Sequence, residues 1–140
     1  MFSLEFERRV LPNGLVLLFH QTRRIPMVSL GLFLRAGKDQ NPESLPGVSA
    51  LAVRLLDEGT VRYTEREISE VIESVGGEMS SFSEREIAGV CFELQSRYLG
   101  LGIDLLAEMS RNPVFPVSRL EIERKRVASH IRSMLSLIHI

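Results

Sequence analysis

A short stretch of the chain has the spacing of a catalytic metal site but not its chemistry. The stretch is GVSALAVRLLDEGT, residues 47–60, which is predicted to form a helix between two glycines. Within it, Val53 and Arg54 follow Ala50 by three and four residues. On one helical face, this spacing could hold a metal ion between two ligands and a catalytic carboxylate. A methyl, an isopropyl and a guanidinium group cannot bind zinc, so the stretch predicts no metal site of its own.

The predicted helix also has an apolar side that would place it in the fold. Its apolar residues follow the i, i+3, i+4, i+7, i+8 pattern of a buried stripe. They are Val48, Leu51, Ala52, Leu55 and Leu56. We therefore expect this stripe to face the core and positions 50, 53 and 54 to form an adjoining face.

The residues before this helix predict three strands. Segments 6–11 and 15–20 flank Pro12-Asn13-Gly14, and because Asn-Gly supplies the positive φ angles of a tight turn, they should pair as an antiparallel hairpin. Segment 28–35 alternates between apolar residues and others, which is typical of a strand with one core-facing side.

After the helix, the sequence predicts a second helix and two further strands. Thr64 and Glu67 form a capping box that starts the helix, and Gly76 ends it. The strands are predicted at 78–83, which is polar and small, and at 87–95, which is strongly apolar.

Two helices complete the chain, at 98–109 and from 119 to about 134. The last opens with a second predicted capping box, formed by Ser118 and Glu121. The resulting order β-β-β-α-α-β-β-α-α predicts an α+β domain, with one mostly antiparallel sheet and helices packed on one face.

Composition excludes several classes of function. Seventeen Lys and Arg oppose eighteen Asp and Glu among 140 residues, so a formal charge of -1 leaves no electrostatic footprint for nucleic acid or an anionic membrane. Cys91, the single cysteine, cannot form an internal disulfide and is expected to be a small buried residue. No run reaches the roughly 18 apolar residues of a membrane span. The N-terminus lacks a signal-peptide pattern, which predicts a cytoplasmic chain, or a periplasmic one if the natural start lies upstream.

The last six residues, 135–140, are interpreted as a non-native tail. They break the charge pattern of the last helix, and one codon reading of LSLIHI matches a transposase end sequence used in making sequencing libraries. We therefore expect residues 1–134 to be part of a longer natural domain and exclude 135–140 from fold reasoning. The alternative is a genuine apolar C-terminus.

Short phrases along most of the chain resemble the N-terminal domain of the pitrilysin/insulinase family of zinc peptidases, which includes the mitochondrial processing peptidases. In order, they are LPNGL (11–15), VSL (28–30), RAG (35–37), GV (47–48), EGT (58–60), IESVGG (72–77), FEL (92–94), LLAEM (105–109) and NPVF (112–115). No single phrase is decisive, and their order and spacing carry the resemblance. It implies a truncated domain of the mitochondrial processing peptidase type that continues past residue 134.

The resemblance implies that active members of the family carry an inverted zinc motif, H-x-x-E-H, on the opening helix. Its two histidines would fall at Ala50 and Arg54, and its water-activating glutamate at Val53. The third ligand, a glutamate on the last helix, would fall at His130, whereas a further acidic position of the family is kept as Glu123. The resemblance thus implies a degenerate motif, with no metal in this chain and no peptidase activity from this chain alone.

A short polar strand is the candidate for peptide binding. Ser80, Ser81, Phe82 and Ser83 stand where active family members have an edge strand that pairs with substrate backbone. Such an edge can add a peptide strand by main-chain hydrogen bonds, whatever its side chains. The alternative is a plain strand covered by a neighbour, and the sequence leaves both open.

The histidines do not suggest a replacement active site. His20 ends a strand without an identifiable serine or cysteine partner, so it is interpreted as a surface residue. His130, alone on its helix, is interpreted as a surface or boundary residue, and His139 lies in the suspected tail.

The expected function is therefore that of a non-catalytic subunit. The resemblance implies that it pairs with a zinc-bearing homologous subunit, encloses an extended peptide with it and helps to degrade or process that peptide. Zinc is expected only in the partner. Two alternatives stay open: a metallopeptidase whose active site is unrecognised or lies outside this fragment, and a purely structural core-type subunit.

Overall fold

The computed structural model describes residues 5–36, 38–45 and 47–138. The strands are β1 Glu7–Val10, β2 Val16–Phe19, β3 Met27–Leu34, β4 Glu78–Ser83 and β5 Ala88–Gln95. The helices are α1 Val48–Arg54, α2 Glu65–Ser74, α3 Leu99–Arg111 and α4 Val117–Ile138. Strand pairs β1–β2, β3–β5 and β4–β5 are all antiparallel. The order of elements and the α+β class are those that the sequence predicts, so the fold prediction is confirmed.

The strands form two sheets rather than one. β5 lies at the centre of a three-stranded sheet of order β3-β5-β4, and β1 and β2 pair separately as a hairpin. The hairpin turns at Gly14, whose φ of 85° is the positive angle that a tight Asn-Gly turn requires. The single predicted sheet therefore corresponds to β3, β4 and β5, and the hairpin of β1 and β2 forms a sheet of its own.

The core lies between β5 and the helices. Its buried apolar cluster comprises Leu56, Ile68, Ile72, Val90, Phe92, Leu94, Leu105 and Met109. Leu30 and Met79 pair with Phe92 in the register and therefore share its face of the sheet. A Cβ atom added to Gly102 of α3 would lie 2.6 Å from the methyl groups of Leu30 and Leu94, which shows how closely α3 approaches the sheet. Burial of this one face explains the alternation in β3, whereas the central strand β5 is buried along most of its length.

The inner face of α1 differs from the predicted stripe. Val53, placed by the sequence pattern on the adjoining face, is buried with 3% exposure, whereas Val48 of the predicted stripe is 37% exposed. The helix ends at Arg54, so Leu55 and Leu56 are buried from the turn that follows rather than from the helical stripe. Because α1 packs against both β4 and α4, it is covered on more than one side. The prediction of a single buried stripe is therefore wrong for Val48 and Val53.

The two predicted capping boxes have different outcomes. At α2, the Glu67 amide donates to Thr64 Oγ1 and the Thr64 amide donates to Glu67 Oε2 at 2.8 Å, which confirms the first box. At α4, the helix begins at Val117, so Ser118 lies inside its first turn and the second box is wrong. The carbonyl of Pro116 instead accepts hydrogen bonds from the amides of residues 119 and 120. α4 also extends to Ile138, beyond the predicted end near 134, and His139 lies outside the described residues.

Candidate functional site

The site begins where α1 is fixed in the fold. At its start, Asn41 Oδ1 accepts hydrogen bonds from the Ser49 amide at 2.9 Å and from Ser49 Oγ at 2.7 Å. Gly47 precedes the helix with a φ of 87°, a conformation that L side chains rarely adopt, and a Cβ there would lie 3.8 Å from Val127 Cγ1 of α4. The N-terminal end of α1 is thus adjacent to the middle of α4.

The C-terminal end of α1 also meets α4, through a charge contact. Arg54 Nη1 lies 3.7 Å from Glu123 Oε2, and the other carboxylate oxygen of Glu123 accepts a hydrogen bond from Arg126 Nη1 at 2.6 Å. The Glu123 side chain is 6% exposed, whereas those of Arg54 and Arg126 are 51% and 69% exposed. A buried carboxylate is thus placed between two arginines that reach it from solvent.

The structure brings together only part of the predicted motif. Arg54 contacts Glu123, the acidic residue that the prediction placed at this site. Ala50 is half-buried on α1, and Val53 points into the core. His130 is exposed on α4, and within the described ranges no hydrogen bond or ion pair connects it to α1. Among the described residues, no group of three or more His, Cys, Asp or Glu side chains could hold a metal ion.

A second charged cluster, which the sequence reasoning missed, adjoins the end of α1. Arg119 of α4 lies 2.9 Å, Nε to Oε2, from Glu58 and also pairs with Glu65 at the start of α2. Burial raises the pKa of Asp57 above its usual range, and the negative charges of Glu65 and Glu123 raise it further. Burial likewise raises the pKa of Glu58, with Glu65 adding to the shift.

Only weak signals in the sequence could have indicated this cluster. The adjacent carboxylates of Asp57 and Glu58 follow a buried helix, which favours at least one of them being partly buried. The positive partner, Arg119, comes from a helix distant in sequence, and no periodicity predicts that contact. The cluster joins the turn after α1 to α2 and α4 electrostatically.

The predicted peptide-binding strand is an edge of the three-stranded sheet. β4 pairs with β5 on one side, and the described residues provide no strand on its other side. Ser80 and Ser81 are exposed, whereas Phe82 and Ser83 are half-buried. The Phe82 ring packs against that of Phe33, with 5.5 Å between ring centroids. α1 packs against this same strand, so β4 and the predicted motif positions on α1 are neighbours.

Cys91 does not have the surroundings of a nucleophile. It is half-buried at the centre of β5, and burial raises the pKa of its thiol. Reactive cysteines have lowered pKa values in positively charged surroundings. Cys91 was expected to be a small buried residue; it is half-buried, and its environment does not favour a nucleophile.

Comparison with known proteins assigns this architecture to a family. A family model described as Insulinase (Peptidase family M16) matches residues 16–137, most of the chain. The chain belongs to the M16 peptidase family. The resemblance seen in the short sequence phrases is therefore confirmed.

Individual M16 proteins resemble the chain over nearly its whole length. An uncharacterized zinc protease of Mycobacterium leprae is 27% identical over 124 residues, which cover 89% of this chain and 28% of that protein. A probable mitochondrial-processing peptidase subunit beta of Arabidopsis thaliana is 25% identical over 81% of this chain and 22% of its own length. The chain thus spans less than a third of these M16 relatives.

A solved structure confirms the M16 fold. The crystal structure of a peptidase M16 inactive domain from Pseudomonas fluorescens superposes with a TM-score of 0.83 over 93% of this chain and 32% of that one. At 23% sequence identity, this similarity concerns the fold. Within the part of the M16 chain that the structure describes, no helix is long and apolar enough to cross a membrane.

Proposed function

We propose that this chain is a non-catalytic member of the M16 family that pairs with a zinc-bearing homologous subunit and helps it to enclose and process peptides. The observation that carries the proposal is the contact of Arg54 with Glu123. At the position where the family motif has a zinc-binding histidine, this chain has a permanently charged guanidinium paired with a carboxylate.

The residues present do not fit a catalytic zinc ion. A catalytic site needs three protein ligands and an open position for water. Ala50 and Arg54 offer no ligand atom, and His130 alone would bind zinc weakly. Val53 is buried and apolar, so it cannot accept a proton from water as the glutamate of the motif does. In our proposal, the zinc and the chemistry belong to the partner subunit.

The free edge of β4 supports a role in peptide binding. An edge strand presents unpaired amide and carbonyl groups that an extended peptide can satisfy by strand addition. Main-chain hydrogen bonds require no particular side chains, so the small residues Ser80 and Ser81 suffice and leave room for the side chains of a peptide. A non-catalytic subunit could thus contact the substrate that its partner cleaves.

The names of relatives support the pairing. Two Arabidopsis thaliana proteins that resemble this chain are named as the beta and the alpha-2 subunit of the mitochondrial-processing peptidase, and the solved bacterial relative is called an inactive domain. A second candidate function is a peptidase with its catalytic part elsewhere in a longer protein. It is favoured by the zinc-protease names of several relatives and by the small share of each that this chain spans.

Reconstitution with a zinc-bearing M16 homologue from the same genome tests the proposal. Hydrolysis of a fluorogenic peptide is measured for each protein alone and for the mixture. We expect no hydrolysis by this chain, and a rate for the mixture that exceeds that of the partner alone. Zinc-dependent hydrolysis by this chain alone would refute the proposal, and so would a mixture without complex formation or rate change.

Proline substitutions in β4 identify the peptide-binding edge. Successive amides of a strand point to opposite edges, so only one of Ser80→Pro and Ser81→Pro removes an outward N–H group. We expect that variant to remain folded and to lose the rate gain of the mixture. The other variant disturbs pairing with β5 and reports on folding alone. A folded outward variant with full rate gain would exclude strand addition at β4.

A further inference from the structure

Glu123 is a buried charge that the protein itself must neutralise. Its side chain is 6% exposed, and its two oxygens face different arginines: Oε2 faces Arg54 of α1 and Oε1 faces Arg126, one turn along α4. An uncompensated carboxylate in such a position is strongly unfavourable, so the arrangement of partners determines whether it is tolerated.

The two arginines make different contacts with Glu123. Arg126 donates a hydrogen bond at 2.6 Å, but it lies on the same helix and cannot join α4 to anything else. Arg54 lies 3.7 Å away as an ion pair, and this contact connects α1 with α4 by charge. The charge of Glu123 also contributes to the raised pKa values of Asp57 and Glu58, in the turn that follows α1.

We propose that Arg54 and Arg126 together form the counter-charge of Glu123, and that this three-residue ion cluster fastens α1 to α4 without any metal ion. The proposal goes beyond the proposed function, because it concerns how the degenerate motif is stabilised rather than what the subunit binds. Where a metal centre would join the two helices through shared ligands, a guanidinium joins them here through a carboxylate. The side chain that prevents zinc binding thereby has a structural role.

The cluster predicts that the stability effects of the two arginine substitutions are not additive. Removal of either arginine leaves Glu123 with one partner, whereas removal of both leaves a buried, unpaired carboxylate. We expect Arg54→Met and Arg126→Met each to lower the folding equilibrium constant by about fivefold, because both side chains are largely solvated. The double variant should lose about a hundredfold or more, well beyond the product of the single effects.

A Glu123→Gln background separates charge from packing. Glutamine has nearly the same shape without the charge, so in this background both arginine substitutions should change the constant by less than about twofold. Urea denaturation measures the folding equilibrium constant of the parent and of six variants. These are Glu123→Gln, each single arginine variant in both backgrounds, and the double arginine variant with Glu123 present. If each arginine substitution lowers the folding equilibrium constant equally in the parent and in the Glu123→Gln background, the proposal is overturned. It is also overturned if the loss of the double variant equals the product of the two single losses. If the double variant does not fold, the single variants in the two backgrounds decide.

Arg111→Met is the matched control for Arg54→Met. Arg111 is also exposed and is also the last residue of its helix, but the described part of the chain shows no ion pair for it. We expect the effect of Arg111→Met on the folding equilibrium constant to be the same with glutamate or glutamine at position 123. Denaturation is repeated with excess zinc and with EDTA, and an unchanged midpoint is expected. A denaturation midpoint that shifts with zinc would overturn the proposal of a cluster without a metal ion. The proposed pairing with a zinc-bearing subunit is tested separately, by the reconstitution assay.

Discussion

Replacement of Asp57 by asparagine perturbs the charged junction after α1 with almost no change in shape. Asp57 is half-buried, and within the described residues its Oδ1 atom is buried without a hydrogen-bond partner. Burial raises the pKa of its carboxyl group, and Glu65 and Glu123 add to that shift, while Arg119 and the residue's own backbone amide oppose it. Asparagine removes the charge and keeps the acceptor oxygen for that amide.

The sign of the effect depends on pH. A raised pKa in the folded state means that the folded chain binds this proton more tightly than the unfolded chain, so the group costs stability as pH rises from its ordinary value of 3.8 through the raised value. The cost in stability is therefore larger at pH 7 than at a pH below the ordinary value. Asparagine removes the charge, and with it the desolvation cost and the repulsion from Glu65 and Glu123. Since Asp57 is only half-buried and Arg119 offsets part of this cost, we expect Asp57→Asn to increase the free energy of unfolding by about 1 kcal/mol.

Urea denaturation at pH 7 and at pH 3.5 measures this effect. The gain of Asp57→Asn should be present at pH 7 and mostly absent at pH 3.5, below the ordinary value of 3.8, where the carboxyl group is mainly protonated in both the folded and the unfolded chain. Asp104→Asn, at an exposed position on α3, is the control and should change little at either pH. A loss of stability at pH 7, or an equal gain at both pH values, would refute the electrostatic explanation.

Three further predictions concern the cap, the core and the degenerate motif. Thr64→Ala should lower the free energy of unfolding by about 1 kcal/mol in urea denaturation, and an unchanged value would mean that the capping box does not stabilise α2. Phe92→Ala, at a position 1% exposed, should cost about 3–5 kcal/mol, and a calorimetric loss below about 1 kcal/mol would place the core elsewhere. The triple substitution Ala50→His, Arg54→His and His130→Glu should raise zinc affinity about tenfold or more; calorimetric affinity no better than that of the parent would contradict the alignment of the motif.

Local signals explain why most of the fold could be predicted. The Asn-Gly turn before Leu15, the Thr64 capping box and the apolar run of β5 each determine structure within a few residues. The errors occur where a local pattern competes with tertiary context. Ser118 has the chemistry of a cap, but the helix begins one residue earlier, after Pro116, and proline is compatible with a helix start. Periodicity misplaced Val53 because α1 is short and covered on several sides.

The candidate site was less predictable than the fold. The side chains at positions 50, 53 and 54 were predicted to lack metal ligands, and the resemblance pointed to Glu123 as an acidic position of the site. It could not show that Arg54 and Glu123 are in contact, because the pairing of two helices distant in sequence depends on the packing of the whole domain. The same limit applies to Arg119, whose two carboxylate partners come from different elements.

The zinc content of the purified chain tests the central claim most directly. The protein is incubated with excess zinc, passed through a desalting column and analysed for metal per polypeptide, with a zinc-bearing M16 homologue treated in parallel. Our account predicts far less than one zinc ion per chain here and about one in the homologue. One tightly retained zinc ion per chain would contradict it.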